Sequence, residues 1–516
     1  MTVLRIASRK SDLARIQVYQ VARALKKVDR SIEFKFQFSQ SLGDKNLNDP
    51  LWQMPEKGVF TRDLQQNLID EDCDLVVHSW KDLPIEGFDQ TEVVATLERE
   101  DSRDLLLFKP ATLADFASRL TQNLKIFSSS PRRSHNLPAL LKQLLPLKIS
   151  EIEFSAVRGN VGTRIDKFIN SDADGLIVAG AAINRLLDVP DEFEAELKTA
   201  AVQLKKKLST LCWMFLPLKE NPTAAAQGAL AIEIRKDRSD LRHLLEKINH
   251  QATFAAVSRE RSILSEHGGG CHQKLGISLQ QRSFGNVLSV RGLDEKTQTA
   301  IAQWQLLGAS TALARAHEHE IWPQRPEESS FFKRKFLNCS KPSNIGAFMV
   351  SRSDAMPLHW TPNQVSQEIL WVSGAKTWRQ LAERGYWING SCEGLGEAKP
   401  STALIDSSLR WCKLSHTQSV DSEDSNFEPL ATYELIPKRA EESPKFLNRQ
   451  HYFWMSATAF KRALDLDPSI LTAQHSCGPG NTYKILIPYF KNQGLELRIC
   501  LDFDHWRQSL LADPQD

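Results

Sequence analysis

The stretch Asp74-Leu75-Val76-Val77-His78-Ser79-Trp80-Lys81-Asp82-Leu83-Pro84 decides how the first half of the chain folds. Asp74 to His78 reads as a buried strand, an apolar run too short for a helix. Pro84 stops any regular continuation, because its ring fixes φ and it has no N–H to donate. The strand therefore delivers Ser79, Lys81 and Asp82 to its carboxyl end. In open α/β sheets, ligands bind beyond that end. A carboxylate placed there by a rigid strand can serve as a general acid or base, or steady a developing cation. The alternative is a turn-capping aspartate beside a surface lysine, a common use of aspartate in loops.

Similar short runs recur at Val3 to Ala7, Phe34 to Phe38, Lys125 to Ser128, Gly175 to Ala179 and Leu230 to Ile234. Helical patterns lie between them, at Asp12 to Lys27 and Val59 to Ile69. In the first, Ala14, Val18, Val21 and Leu25 share one face, and Asp12 sits near the positive end. This alternation predicts α/β layers with mostly parallel strands. Past residue 250 the texture changes. Gln251 to His267 reads as one long helix ended by Gly268-Gly269-Gly270, and Gly276 to Leu279, Leu288 to Gly292 and Thr299 to Leu306 read as a small antiparallel sheet. Residues 321 to 344 carry Pro323, Pro326, Pro342 and mixed charge, and are expected to form a linker. A further α/β segment follows, interrupted by the acidic stretch Asp421 to Glu428. Separation at the linker implies that a chain ending near residue 325 keeps its activity.

A chain of 516 residues has room for roughly three or four domains. Its 41% hydrophobic content supplies several cores. A net charge of +2 gives no general attraction to nucleic acid or membrane. The eight cysteines form no CxxC pair, which suits reduced thiols in a cytoplasmic protein better than a disulfide framework. No run reaches the ~20 apolar residues that span a bilayer, and Met1 to Ile6 runs into a strand without the apolar core of a signal peptide.

Arginines recur where strands end or helices begin. Arg5 to Ser11 is a strand running into a basic turn with Arg9 and a helix start; Arg132-Arg133 follow Ser128-Ser129-Ser130; Arg158 and Arg164 bracket Gly159-Asn160-Val161-Gly162-Thr163; Arg185 follows the strand at 175 to 179. Guanidinium forks match carboxylates two bonds at a time. Repeated in a nearly neutral chain, they point to a polycarboxylate ligand, whereas nucleic acid would call for a more basic protein with interleaved aromatics. Singly, each also reads as a surface residue. Cys271 follows three glycines and a helix, a setting that favours a reactive thiol over a packed one. No Cys/His set with metal-ligand spacing accompanies it.

Together, Ala7-Ser8-Arg9, His78 to Pro84, Ser129-Ser130-Pro131-Arg132-Arg133, Arg158 to Arg164 and Gly269-Gly270-Cys271 resemble the hydroxymethylbilane synthase (porphobilinogen deaminase) family over about residues 1 to 320. The resemblance implies an α/β protein with two periplasmic-binding-protein-like domains, 1–102 with 229–246 returning to it and 103–228. It also implies a small α+β cysteine-bearing domain at 247–320, before the linker at 321–344 and an extra α/β region at 345–516. It implies a dipyrromethane cofactor on Cys271 through a thioether, and Asp82 as the catalytic carboxylate. Lys81, Ser129, Arg132, Arg133, Arg158 and Arg164 match cofactor-binding positions, and Arg9, Ser11, Arg158 and Arg185 substrate-binding ones. The implied reaction joins four porphobilinogen molecules head to tail, with loss of ammonia, in a cytoplasmic monomer that needs no metal, nucleic acid or membrane. Departures fall at Asp12, Gln53, Pro55 and Ala226. An extra segment, about Phe193 to Glu220, presents the apolar patch Leu211 to Phe215 to the C-terminal region or a partner.

Within 345–516, Trp378 to Gly390, Gly394 to Glu397, Ser456 to Ala459 and Gly478 to Thr482 are loosely similar to uroporphyrinogen-III synthase. A fusion that also cyclises the product is one alternative to the leading reading. A carboxylate-binding module without catalysis is another, although such a module needs neither Asp82 nor Cys271.

Overall fold

Val3–Arg9 (β1) buries Leu4, Ile6, Ala7 and Ser8, and Ser11 caps the helix Asp12–Val28 that follows it by accepting from the Ala14 N–H. The computed structural model describes residues 3–39, 61–116, 122–190, 193–269, 273–294, 296–308, 315–419 and 427–511. Glu33–Ser39 (β2), Leu75–Ser79 (β3) and Thr91–Ala95 (β4) complete the first pass of the chain through one sheet. Asp104–Phe108 (β5), Gln122–Phe127 (β6), Ile149–Ser155 (β7), Gly175–Ala179 (β8) and Cys212–Phe215 (β9) build a second, and Leu230–Arg235 (β10) returns to the first.

The strand orders are β2-β1-β3-β10-β4 and β7-β6-β8-β5-β9, the same topology twice. The expectation of mostly parallel strands holds, since four of the five strands in each sheet point the same way. The three strands at one side of each sheet run parallel, but β10 is antiparallel to β3 and β4, and β5 is antiparallel to β8 and β9. The reason is the double crossing. The chain leaves one sheet after β4 and comes back as β10, so β5 and β10 enter from the neighbouring unit, opposite to the β–α–β strands.

The helix Gln251–Glu266 packs on a three-stranded antiparallel sheet of Leu275–Arg282 (β11), Gly285–Asp294 (β12) and Thr299–Leu307 (β13). This sheet docks on the second unit at Pro222. A Cβ at Gly276 would lie 2.0 Å from the Pro222 carbonyl oxygen, so only glycine permits the approach.

Residues 321–344 are not a linker. Ile321–Trp322 (β14) and Phe332–Phe336 (β15) join two further sheets, and the prolines fall between or after these strands. One is six-stranded, in the order β15-β20-β19-β16-β17-β18. It comprises β15, Ala347–Val350 (β16), Ile369–Val372 (β17), Gly390–Ser391 (β18), Trp411–His416 (β19) and Glu428–Pro437 (β20). The other is four-stranded and parallel, comprising β14, His451–Trp454 (β21), Gln474–Cys477 (β22) and Leu497–Ile499 (β23). Trp322 and Phe331 are buried among Phe446, Tyr452 and Trp454.

The C-terminal region shares its core with the second sheet. Leu106, Phe108, Leu141 and Met214 lie in one apolar cluster with Phe348, Trp378, Tyr386 and Ile388. The patch around Trp213 is covered by this region: the Phe215 N–H donates to the Asn389 carbonyl at 2.8 Å, and Trp387 Nε1 donates to the Trp213 carbonyl at 3.0 Å. Trp378, fully buried, donates from Nε1 to the Leu144 carbonyl at 3.1 Å. A chain ending near residue 320 should therefore aggregate or lose its cooperative thermal transition, contrary to the separable unit expected above. Trp378→Ala in the full chain should cost about 3–5 kcal/mol in denaturant unfolding, and an unchanged midpoint would refute the shared core.

Candidate active site

β3 ends at Ser79, and Trp80–Asp82 forms one 3-10 turn before Pro84. Behind the turn, His78 Nε2 lies 3.0 Å from the buried Glu233 carboxylate, which also accepts from Gln65 and Thr91. Ser79 Oγ accepts from Gln17 Nε2 at 2.9 Å, which ties the strand end to the first helix. Trp80 points inward, while Lys81 and Asp82 are half-buried and neighbours in charge. Burial pushes the Lys81 ammonium below its ordinary pKa; Arg133 and Arg164 push the same way, and Asp82 and Asp104 oppose them.

The second sheet brings a different carboxylate to the same region. Asp104, at the start of β5, is wholly buried. It accepts from Arg132 at 2.8 Å, Arg133 at 2.6 Å, Asn221 at 3.0 Å and Gln227 at 2.9 Å. Burial alone would raise its pKa, but the two guanidinium groups override it and hold the carboxyl far below the usual range. Gln227 also accepts from Lys81 Nζ at 3.4 Å, so one amide side chain joins the Asp82 turn to the Asp104 cluster.

The predicted residues sort into two groups. Arg164 is the centre of a cationic crowd. Burial and the charges of Arg133, Arg158 and Arg9 bring its pKa down to about 10, with Asp82 opposing. Its Nε donates to the Gly159 carbonyl at 2.7 Å, which orients the fork at the start of the helix Val161–Ile169. Arg164 is thus acted on by Arg9, Arg133, Arg158 and Asp82, and Lys81 by Asp82, Arg133, Asp104 and Arg164, across the two sheets; Arg133 belongs to both groups, since it also donates to Asp104.

The second group is held by internal partners. Arg132 gives its terminal nitrogens to Asp104, Asn221 and the Pro222 carbonyl. Arg185 donates to the Gly228 carbonyl at 2.7 Å, and burial lowers its pKa to about 10. Ser129 Oγ donates to the Val157 carbonyl and accepts from the Val157 N–H, and Ser11 caps its helix. Cys271, like Gln53 and Pro55, lies outside the described residues. Sequence reading missed Asp104, Gln227, Glu260 and Arg99. Glu260 is fully buried and joins Arg99, the Ala226 N–H and the Leu279 N–H. The one available signal for Asp104 was a charged residue opening the apolar run Leu105-Leu106-Leu107-Phe108.

A strand-end carboxylate inside a crowd of guanidinium groups, at the meeting of two α/β sheets, defines a protein that handles a small, multiply anionic ligand. The family described as "Porphobilinogen deaminase, dipyromethane cofactor binding domain" matches residues 4–243. The porphobilinogen deaminase of Syntrophomonas wolfei subsp. wolfei is 36% identical over 294 residues, covering 57% of this chain and 85% of the relative. That of Alkaliphilus metalliredigens is 32% identical over 316 residues, covering 60% and 90%. The chain belongs to the porphobilinogen deaminase family. Among solved structures, a putative periplasmic sulfonate-binding protein from Methylobacillus flagellatus KT is similar at 12% identity and a TM-score of 0.27, over 52% of this chain and 72% of that one. The loose similarity of 345–516 to uroporphyrinogen-III synthase finds no support in these matches, and no reaction is assigned to that region.

Asp104→Asn keeps the shape of the cluster but leaves two buried guanidinium charges without their anion, which should cost about 3–5 kcal/mol. The native carboxyl titrates below its unfolded pKa of 3.8, so its stabilising effect is present above that pH and fades as pH falls below it. Urea midpoints of the two proteins should differ most near neutrality and converge on acidification from about pH 4. A constant difference down to pH 2 would contradict the assignment.

Proposed function

We propose that the chain is a hydroxymethylbilane synthase: it joins four porphobilinogen molecules, releasing ammonia at each addition, and frees the linear product by hydrolysis. The observation that carries this reading is the cationic crowd around Asp82, in which Arg164 sits with a lowered pKa beside Arg9, Arg133 and Arg158. Such an excess of positive charge is complemented by a ligand rich in carboxylates, and the acetate and propionate arms of pyrroles supply them. The same crowd fits a dipyrromethane group, which on the family's pattern is thioether-linked to Cys271 and supplies the pyrrole end to which units are joined. Arg158 and Arg164 would hold its carboxylates, with Lys81 and Arg133 adding charge, while Ser129 and Arg132 shape the loops that present them. Arg9 would receive the incoming substrate, with Ser11 and Arg185 fixing the helix start and hinge around it.

Asp82 does the chemistry. Loss of ammonia from porphobilinogen leaves a delocalised cation, which the Asp82 carboxylate steadies through its charge. Coupling then requires a proton to leave a ring carbon, and the same carboxylate can accept it.

The sheet of β1–β4 with β10 and the sheet of β5–β9 act as two lobes around the substrate, and residues 247–320 bring the thiol to it. Among the described residues no helix is long and apolar enough to cross a membrane, and the small substrate calls for neither a membrane nor nucleic acid. A cytoplasmic site is consistent with the unpaired cysteines found among the described residues.

Asp82→Asn keeps the side chain's shape and removes its charge. Turnover of porphobilinogen should fall by about 10²–10³-fold, the usual effect of losing one group that stabilises developing charge. Asp82→Glu keeps the charge one methylene away and should retain weak activity. A near-normal rate for Asp82→Asn in steady-state assays would move the catalytic role to another residue.

A further inference from the structure

One face of the helix Gln251–Glu266 lies along the turn that carries Asp82. The Phe254 ring meets Trp80 with centroids 5.2 Å apart, and Val257 joins the apolar cluster of Trp80 and Leu83. One turn further, Arg261 reaches across. One terminal nitrogen donates to the Leu83 carbonyl at 3.0 Å and towards the Trp80 carbonyl at 3.4 Å, and the other donates to the Pro84 carbonyl at 2.6 Å. Positions 254, 257 and 261 share one helical stripe, so the contact belongs to the helix as a body. Beyond the helix, Gly269 comes against Ile85, where a Cβ would lie 3.3 Å from Ile85 Cγ1.

The Trp80 carbonyl already accepts from the Leu83 N–H at 3.2 Å, whereas the carbonyls past the end of a short 3-10 turn lack regular partners. Here a single guanidinium serves carbonyls on both sides of Asp82, one before it and two after it. A planar fork with fixed donor directions sets the angle of the backbone it binds, which a point charge does not. The Asp82 turn is thereby registered against the helix Gln251–Glu266, which precedes Cys271 in the sequence.

We propose that Arg261 is a positioning residue for the reaction: without touching substrate, it fixes the Asp82 carboxylate relative to the helix that precedes the thiol in the sequence. This rests on the assignment of Asp82 as the catalytic carboxylate. Displacement of a catalytic group by about 1 Å can lower a rate by about 10²-fold while binding elsewhere in the site persists. The effect therefore belongs in kcat and not in KM.

The test uses full-length Arg261→Met, Arg261→Lys and Asp82→Asn. Pyrrole content is read by intact-protein mass, and kcat and KM are expressed per pyrrole-loaded molecule. Arg261→Met should lower kcat by about tenfold or more with KM within about threefold of the parent. Arg261→Lys, able to serve fewer carbonyls at once, should fall between them, and it decides the question if Arg261→Met does not load. A merely structural arginine would change the melting temperature or the loaded fraction and leave kcat per loaded molecule at the parent value; that result overturns the proposal. If Asp82→Asn is inactive while both Arg261 variants are normal, only the positioning role falls. If Asp82→Asn turns over normally, the assignment of Asp82 falls and the role of Arg261 with it.

Discussion

Asp104 is fully removed from water between two guanidinium groups, and neither sign of charge in that cluster is tolerable without the other. Each ion alone would lose several kcal/mol of hydration on burial. Together with Asn221 and Gln227 they satisfy one another, and the geometry this demands is narrow. The cluster stands where the chain crosses between the first two sheets. Arg132 and Arg133 come from the helix Pro131–Leu144 of the second sheet, Gln227 from the returning segment, and Lys81, bonded to Gln227, from the first. This buried anion links the Asp82 turn, through Lys81 and Gln227, to Arg132 and Arg133.

A second hub, around Glu260, works in the same way at lower net charge. Its carboxylate takes Arg99, the Ala226 N–H and the Leu279 N–H, and so joins the crossing segments to the small antiparallel sheet. The C-terminal region adds a third constraint. Arg103, next to Asp104, donates to the Ser391 carbonyl and lies over the rings of Phe215 and Trp371. Lys219 pairs with Asp502 at 2.7 Å and sits 3.9 Å from the Trp304 ring centroid. The region beyond residue 320 thus grips the second sheet and the small sheet together, and its first contact with the crossing strand is one residue from the buried anion.

Much of this was legible in the sequence wherever local pattern decides. The buried run ending at His78, the exact span Gly175 to Ala179 and the three antiparallel strands after residue 273 follow from apolar periodicity and turn residues. The direction of β5 and β10 was not legible, because it depends on which unit the chain has just left. Residues 321–344 looked like a linker since prolines and charges dominate a local reading, yet Trp322 and Phe331 are anchored by aromatic partners more than a hundred residues away. The arginines could be listed but not sorted. Whether a guanidinium is bound to an internal carboxylate, as at Arg132, or to a loop carbonyl, as at Arg164, depends on long-range partners such as Asp104, marked locally only by its place before an apolar run. Ala226 shows the same limit. It departs from the family's glycine-first turn yet adopts φ +68°, a strained choice for a residue with a Cβ, and its N–H is held by Glu260.

The central claim is that this chain carries a covalently held pyrrole primer for condensing porphobilinogen. Intact-mass measurement of the purified full-length protein, followed by peptide mapping, tests it most directly. The expected result is a mass increase corresponding to two pyrrole rings, located on Cys271 and absent from Cys271→Ser. Protein that converts porphobilinogen at full rate with Cys271 unmodified would contradict it.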